Sequence, residues 1–211
     1  MKRHDVTERP ILFNGQMVPP VLADIKTQTR RVVKPQPYSV SLVPSGNHLF
    51  DYRTDLSDYS RVVDMNKAVT LCPYGQIGHK LWVKESFSGP HCVEKQGGFP
   101  ALPPSQWHPE SEIWYWADGN PQHGDWTRPR PSIHMPRWAS RITLEITDVR
   151  VERLQDISRG DAMAEGCPFP NMAAGPDPRQ WYAELWNQIN GPSSWDFNPW
   201  VWCVTFKRIK P

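Results

Sequence analysis

A run of six residues, Lys26 to Arg31, carries an amine, two hydroxyl groups and two guanidinium groups. Lysine beside a threonine hydroxyl can act as a base and make a nucleophile when burial, or a neighbouring cation such as Arg30, lowers the pKa of the lysine. As a strand, the run places alternate residues on opposite faces, with Lys26 and Thr29 apart. If Lys26 lies at a loop-to-strand junction, both side chains converge on one pocket. The alternative is a basic strand on a solvated face, since lysine and arginine are mostly exposed.

A second candidate for proton chemistry is Glu165. The stretch from Ile157 to Gly166 predicts a compact helix, in which Ser158 and Asp161 resemble a capping box and Gly166 ends the helix. Glu165 then lies in the last turn, where the helix dipole disfavours a negative charge by up to about 1 kcal/mol. This position would ease proton transfer by the carboxylate. The alternative is an exposed glutamate that carries a small penalty.

Short apolar runs between glycine and proline residues predict the elements that position these groups. A short helix begins near Val18, because Pro19 and Pro20 are tolerated in a first turn. A turn and strand span Gly78 to Glu85, with Leu81 and Val83 on one face. The other predicted strands cover residues 9–13, 27–33, 38–43, 48–52, 113–117 and 200–209.

The strongest β-strand pattern extends from Arg141 to Val151. Its apolar residues occupy positions 142, 144 and 146 and then change phase to 149 and 151. One extra residue at Thr147-Asp148 therefore predicts a β-bulge, which curves a sheet.

The clearest helix follows, from Asp177 as its cap to Asn190, with Gly191 after its end. An apolar stripe of Trp181, Leu185 and Ile189 is predicted to face the core. The closing strand is predicted to bury Trp200, Trp202, Val204 and Phe206.

Strands, a bulge and short helices without β-α-β regularity predict a mixed α/β fold, mainly β, built as a small β-barrel with attached helices. The 211 residues suit a single domain, 1–211. Residues 88–131 are rich in Gly, Pro, Gln and His with interleaved tryptophans. A stretch of this kind predicts an insertion or lid.

Composition excludes several classes of protein. The formal charge of +2 gives no global drive toward nucleic acid. The sequence contains no run of 18 apolar residues, so no membrane span is predicted. The N-terminal residues lack the apolar core of a signal peptide, so a cytoplasmic protein with reduced thiols is expected. The four cysteines form no C-x-x-C pair and the seven histidines no ligand spacing, so we expect no metal and no cofactor. The eleven tryptophans offer stacking surfaces for planar ligands.

Four segments taken together resemble the ASCH domain family, whose fold is similar to the PUA domain, a small β-barrel that in many proteins binds RNA. Several such genes lie in phages and prophages. The matching segments are the helix leading into Lys26–Arg31, then Gly78–Glu85 (a variant of G-D-x-L-W-V-x-E, with His79 in place of the aspartate), Ile142–Gly166 and Trp200–Phe206.

One branch of this family, the N4-acetylcytidine amidohydrolases, combines a lysine, a threonine three residues later and a glutamate near the end of a short helix. Lys26, Thr29 and Glu165 match that set. The resemblance implies hydrolysis of the acyl group on the exocyclic amine of cytosine in a nucleoside. Either Thr29 is the nucleophile, or Lys26 and Glu165 activate water. The predicted substrate-binding residues are Arg30, Trp82, Glu85 and Trp138, the two tryptophans by stacking on the base.

Two other functions fit the same residues. A non-enzymatic RNA- or nucleotide-binding module would contact phosphates through arginines, with tryptophans stacking on bases. Those arginines are Arg30, Arg31, Arg137 and Arg141. A phage accessory protein would instead bind a host protein through residues 88–131.

Overall fold

The computed structural model describes residues 7–37, 39–42, 48–51, 62–90, 102–168 and 177–210. The strands of this part of the chain are β1 (Glu8–Leu12), β2 (Gln28–Val32), β3 (Ser39–Leu42), β4 (His48–Asp51), β5 (Val62–Asp64), β6 (Lys80–Lys84), β7 (Phe87–Ser88), β8 (Trp114–Tyr115), β9 (Thr143–Arg153) and β10 (Trp200–Ile209). Its α-helices are α1 (Val18–Leu22), α2 (Met65–Thr70), α3 (Arg159–Ala164) and α4 (Pro178–Asn190). Short 3-10 turns occur between them, for example at Trp116–Asp118 and Leu154–Asp156.

The central sheet has five strands in the order β1-β6-β9-β10-β2. β1 and β6 are parallel, and the other neighbours are antiparallel. The fold is mixed α/β and mainly β as predicted, but the predicted closed barrel is wrong. Closure needs main-chain pairing between the two edge strands, and within the described residues β1 and β2 are not paired. The Arg31 side chain instead donates from Nη2 to the Leu12 carbonyl over 2.8 Å.

The predicted bulge in β9 is confirmed. Thr205 of β10 pairs with Asp148, and the next residue, Phe206, pairs with Ile146. Thr147 is therefore the extra residue, at the point where the apolar pattern changes phase. The bulge lets Ile146 and Val149 both reach the core, where both are buried.

Strand β10 is buried on both faces. Trp200, Trp202, Val204 and Phe206 join the main core, as predicted. On the opposite face Val201 packs in a second cluster beneath α4. This strand therefore joins the sheet core to the helical layer that holds the candidate site.

Helix α4 has the predicted limits, with Asp177 accepting a hydrogen bond from the Arg179 amide. Its predicted apolar stripe is only partly right, because Ile189 is 50% exposed and Trp181 is half-buried. The buried face instead carries Tyr182, Leu185 and Trp186. These residues also follow helical spacing, so the buried stripe begins at Tyr182, one residue after the predicted start.

Part of the predicted insertion, residues 91–101, lies outside the described residues, as do Tyr38, Val43 and Tyr52 of two predicted strands. The described part of 88–131 packs on its flanking segments in a small cluster, in which Trp107 contacts Phe87 and lies with the buried Met135 and Ala139. β7 pairs with β8 there, and Asp118 forms an ion pair with Arg141 at 2.6 Å. The lid role stays a prediction.

Among the described helices, none combines the length and the apolar character that crossing a bilayer requires.

Candidate active site

The chain segment just before β2 places Lys26 next to the end of α3. The Lys26 amide donates to the Pro20 carbonyl over 3.0 Å, and the Thr27 amide donates to the Ala164 carbonyl over 2.8 Å. Helix α3 itself begins with the predicted capping box, in which Ser158 and Asp161 bond each other's main chain. Lys26 thus lies at the loop-to-strand junction, because β2 begins only at Gln28.

Close approach of these segments depends on Gly166. Its φ is +99°, a conformation that side chains rarely adopt. A Cβ there would lie 3.3 Å from the Cβ atoms of both Lys26 and Pro20. Gly166 therefore ends α3 as predicted and also leaves room for the lysine.

The Lys26 ammonium is enclosed by three acceptors. Nζ donates to the carbonyl of Gln28 at 2.9 Å, to the carbonyl of Glu165 at 2.9 Å and to Glu165 Oε2 at 2.6 Å. Both side chains of the pair are almost fully buried, at 1% and 2% exposure. Because an ammonium has three donors, this geometry satisfies the charged form completely.

Glu165 is held between two cations. Its Oε2 binds Lys26, and its Oε1 accepts a hydrogen bond from Arg30 Nη1 over 3.2 Å. Arg30 Nη1 also donates to Gln28 Oε1 over 2.7 Å. The α3 dipole alone would disfavour the charge on Glu165, whereas these two partners stabilise it.

Burial is the main cause of a lowered pKa at Lys26, and the attraction of Glu165 opposes it. The charges of Arg31 and Arg30 lower that pKa further. Burial and the charge of Arg30 therefore act on the lysine in the direction expected from the sequence. The contact of 2.6 Å places Lys26 Nζ and Glu165 Oε2 within hydrogen-bond distance.

Further ion pairs fix the position of the Arg30 guanidinium. Arg30 Nε donates to Glu152 Oε1 over 2.9 Å, and its Nη2 binds the same carboxylate. Arg150 binds the other oxygen of Glu152 at 3.0 Å and Asp161 at 2.8 Å. Through Asp161 this layer reaches the capping box of α3, so the helix that carries Glu165 and the strand that carries Arg30 are fixed relative to each other.

Glu165 opens onto a cleft of about 220 Å³. Thr29, Arg30 and Arg31 of β2 line one side of it. The aromatic residues around it are Phe13, Tyr182 and Trp186. A second cleft, of about 150 Å³, is lined by polar residues such as Gln16 and Glu184 and by apolar ones such as Pro20. Glu165, Met17 and Leu185 line both clefts.

Thr29 and Lys26 lie on different sides of the glutamate. Thr29 lines the larger cleft, whereas Lys26 lies behind Glu165 and lines neither cleft. Among the described residues, no side-chain hydrogen bond joins Thr29 to Lys26, whose three donors are all engaged elsewhere. Lys26 and Glu165 are therefore in contact, and Thr29 lines the same cleft as Glu165, whereas Lys26 does not line it.

The other predicted substrate-binding residues divide into two groups. Arg30 lines the cleft, but Trp82, Glu85 and Trp138 do not. Trp82 is covered by the Lys84 and Arg137 cations, at 5.4 Å and 5.9 Å from its ring centre. Trp138 packs against the small cluster that contains Phe87 and Trp107.

Glu85 binds Arg141 and does not line the cleft. It is 1% exposed and binds Arg141 through both carboxylate oxygens at 3.0 Å. Burial raises the pKa of Glu85, and Arg141 opposes that effect. This pair fixes the end of β6 to the segment before β9.

Sequence reasoning missed the three aromatic residues that do surround the cleft, Phe13, Tyr182 and Trp186. A signal for two of them was present, since Tyr182 and Trp186 are four residues apart on α4. Phe13 had no local signal. It approaches the site from the end of β1, where the Lys26 ammonium lies 5.8 Å from its ring centre.

Comparison with protein-family models, curated proteins and solved structures finds no match to this chain. Across the residues that the structure describes, no three His, Cys, Asp or Glu side chains are grouped to hold a metal ion. The resemblance to the ASCH family stays a prediction from the sequence motifs.

Proposed function

We propose that this chain is an amidohydrolase of the ASCH type that removes the acyl group from the exocyclic amine of N4-acylated cytosine. The observation that carries the proposal is the Glu165 carboxylate, held between Lys26 and Arg30 while it lines a cleft beside Thr29. A buried carboxylate paired with a lysine of lowered pKa is typical of a site that moves protons. Aromatic side chains around the same cleft suit a flat ring.

The chemistry requires one water molecule. The Glu165–Lys26 pair takes a proton from water, and the oxygen of that water attacks the acyl carbon. The C–N bond then breaks, the pair returns the proton to the cytosine amine, and a carboxylic acid leaves. The Thr29 hydroxyl positions the acyl oxygen or the water, and Arg30 holds the Glu165 carboxylate in place.

The second cleft provides a geometrical argument for an amide substrate. An amide has two halves, and the catalytic group must reach the bond between them. Glu165 lines both clefts, so the cytosine would occupy the larger one and the acyl group the smaller one. Pro20 and Leu185 of the smaller cleft would contact the acyl group.

RNA binding is less well supported at three of the four predicted arginines, Arg31 being the exception. Arg30 is buried against carboxylates, Arg137 pairs with Glu8 at 2.9 Å, and Arg141 is bound by Glu85 and Asp118. Their charges are compensated within the chain, so a phosphate would have to displace these partners.

The test is incubation of the purified protein with N4-acetylcytidine, with cytidine release followed by chromatography. We expect turnover by the parent and a loss of at least about 100-fold in Glu165→Gln, the usual size of an acid–base contribution. Lys26→Ala and Thr29→Ala should also lose activity. Glu145→Gln is the matched control, because Glu145 forms a surface ion pair with Lys207.

Release of cytidine by the parent and by Glu145→Gln, but not by Glu165→Gln, would establish the site. Equal activity in Glu165→Gln would contradict it. If no N4-acylcytosine compound is hydrolysed by the folded parent, the amidohydrolase proposal fails.

A further inference from the structure

Arg31 differs from the other arginine of the cleft in its partners. Arg30 is bound by carboxylates, whereas the Arg31 guanidinium donates to two main-chain carbonyls, that of Arg30 at 3.2 Å and that of Leu12 at 2.8 Å. It lies over the Phe13 ring at 5.6 Å. Within the described residues no carboxylate forms an ion pair with Arg31, so its positive charge is not neutralised there.

The charge of Arg31 acts on the cleft. It lowers the pKa of Lys26, and it opposes the raised pKa that burial gives to Tyr182. A guanidinium has five N–H donors. Two carbonyl oxygens and the Tyr74 side chain engage three of those of Arg31, which leaves donors for a ligand. Arg31 is half-buried and lines the cleft, so these donors are accessible to a ligand.

The position of Arg31 separates it from the reacting end. Arg31 and Thr29 lie on the same face of β2, two residues apart, which is about 6.6 Å along a strand. Glu165 contacts Lys26 and Arg30, and the Arg30 side chain lies on the opposite face of β2 from that of Arg31. An anion at Arg31 would therefore belong to a part of the ligand away from the acyl group.

We propose that Arg31 forms a phosphate subsite at this cleft, so that the chain binds a cytidine 5′-monophosphate in preference to the neutral nucleoside. The choice of base rests on the proposed function, whereas the phosphate subsite rests on Arg31 itself. Arginine forms charge-assisted hydrogen bonds with phosphate, often two at once.

A single phosphate fits better than a polyanion. Four other arginines of the described chain are neutralised by carboxylates, and Arg30 is the only other arginine among the described residues that line this cleft. A nucleic-acid strand would need a track of free cations along the surface. The four neutralised arginines are Arg137, Arg141, Arg150 and Arg208. One unpaired guanidinium at the cleft provides for one phosphate group.

The experiment is calorimetric titration of the full-length protein with cytidine and with cytidine 5′-monophosphate at one ionic strength. We expect the nucleotide to bind about tenfold or more tightly. Arg31→Gln should reduce this preference to about one while changing cytidine binding by less than about twofold, and Arg31→Lys should restore part of it. Lys207→Gln removes one surface charge and should leave the preference intact.

Equal binding of the two ligands by the parent overturns the proposal, as does absence of nucleotide binding at millimolar concentration. Equal weakening of both ligands in Arg31→Gln also overturns it. If a trinucleotide with a central cytidine binds more tightly than the mononucleotide, the ligand is RNA and the mononucleotide proposal is overturned. If the protein prefers the nucleotide but does not hydrolyse N4-acetylcytidine, the phosphate subsite is supported and only the amidohydrolase proposal is contradicted.

Discussion

Lys26 Nζ lies 2.6 Å from Glu165 Oε2, in a contact between two buried side chains that are 139 residues apart in the chain. Each charge is removed from water, so each needs the other to stabilise it. The pair therefore links the entry of β2 to the end of α3, and it gives the candidate active site a measurable contribution to stability.

Lys26→Met should lower the free energy of unfolding by about 3 kcal/mol or more, because it leaves the Glu165 carboxylate buried with Arg30 alone. Urea unfolding followed by circular dichroism measures this change. The double variant Lys26→Met/Glu165→Leu should lose less than the sum of the single changes, since a pair of apolar residues replaces a pair of charges. An unchanged urea midpoint in Lys26→Met would show that the buried ion pair does not form.

Gly166→Ala should destabilise the fold by about 1–3 kcal/mol, because φ at this position is +99° and the added Cβ would meet Lys26 and Pro20. It should also displace Lys26 and so reduce hydrolysis of N4-acetylcytidine. Thermal unfolding and the activity assay measure the two effects. The control is Gly15→Ala, where the added Cβ has no atom within 4 Å. Equal stability of the two variants would contradict the close approach at Gly166.

Arg141→Gln should cost about 3 kcal/mol at neutral pH, because Glu85 is 1% exposed and would lose its bidentate partner. Burial raises the pKa of Glu85 in the folded state, and removal of Arg141 raises it further. The folded variant then binds more protons than the unfolded chain above pH 4.5, so its stability should increase as pH falls from 7 toward 5.

Urea unfolding of Arg141→Gln at several pH values tests this effect. Asp118→Asn is the comparison, because Asp118 binds the same arginine but is 41% exposed, and it should cost much less. A variant that keeps its stability but loses cytidine binding would instead assign Glu85 and Arg141 to the substrate.

The Asp24 carboxylate should titrate near pH 2, because Arg208 and then Lys210 hold its pKa down to about 2 from 3.8. Between these two values the folded chain binds fewer protons than the unfolded chain, so the contribution of Asp24 to stability is lost as pH falls through that window. Carboxyl NMR titration measures the midpoint, and Arg208→Gln should move it upward. A midpoint near 3.8 in the parent would show that the ion pair is absent in solution.

Local patterns determined several elements of this protein from the sequence alone. The change of phase in β9 located the bulge at Thr147, and the order of Asp177, Pro178 and Gly191 set the limits of α4. The capping box at Ser158 set the start of α3. Each of these signals lies within a few residues of the feature that it predicts, because caps, turns and strand alternation act over that distance.

Only the tertiary structure decided which groups meet. The motifs named Lys26, Thr29 and Glu165, but the fold placed Glu165 rather than Lys26 at the cleft. It surrounded the cleft with Phe13, Tyr182 and Trp186 instead of the predicted tryptophans, and it left the sheet open between β1 and β2. Contacts of this kind join residues far apart in the chain, and their partners are chosen by how whole elements pack, which local spacing does not encode.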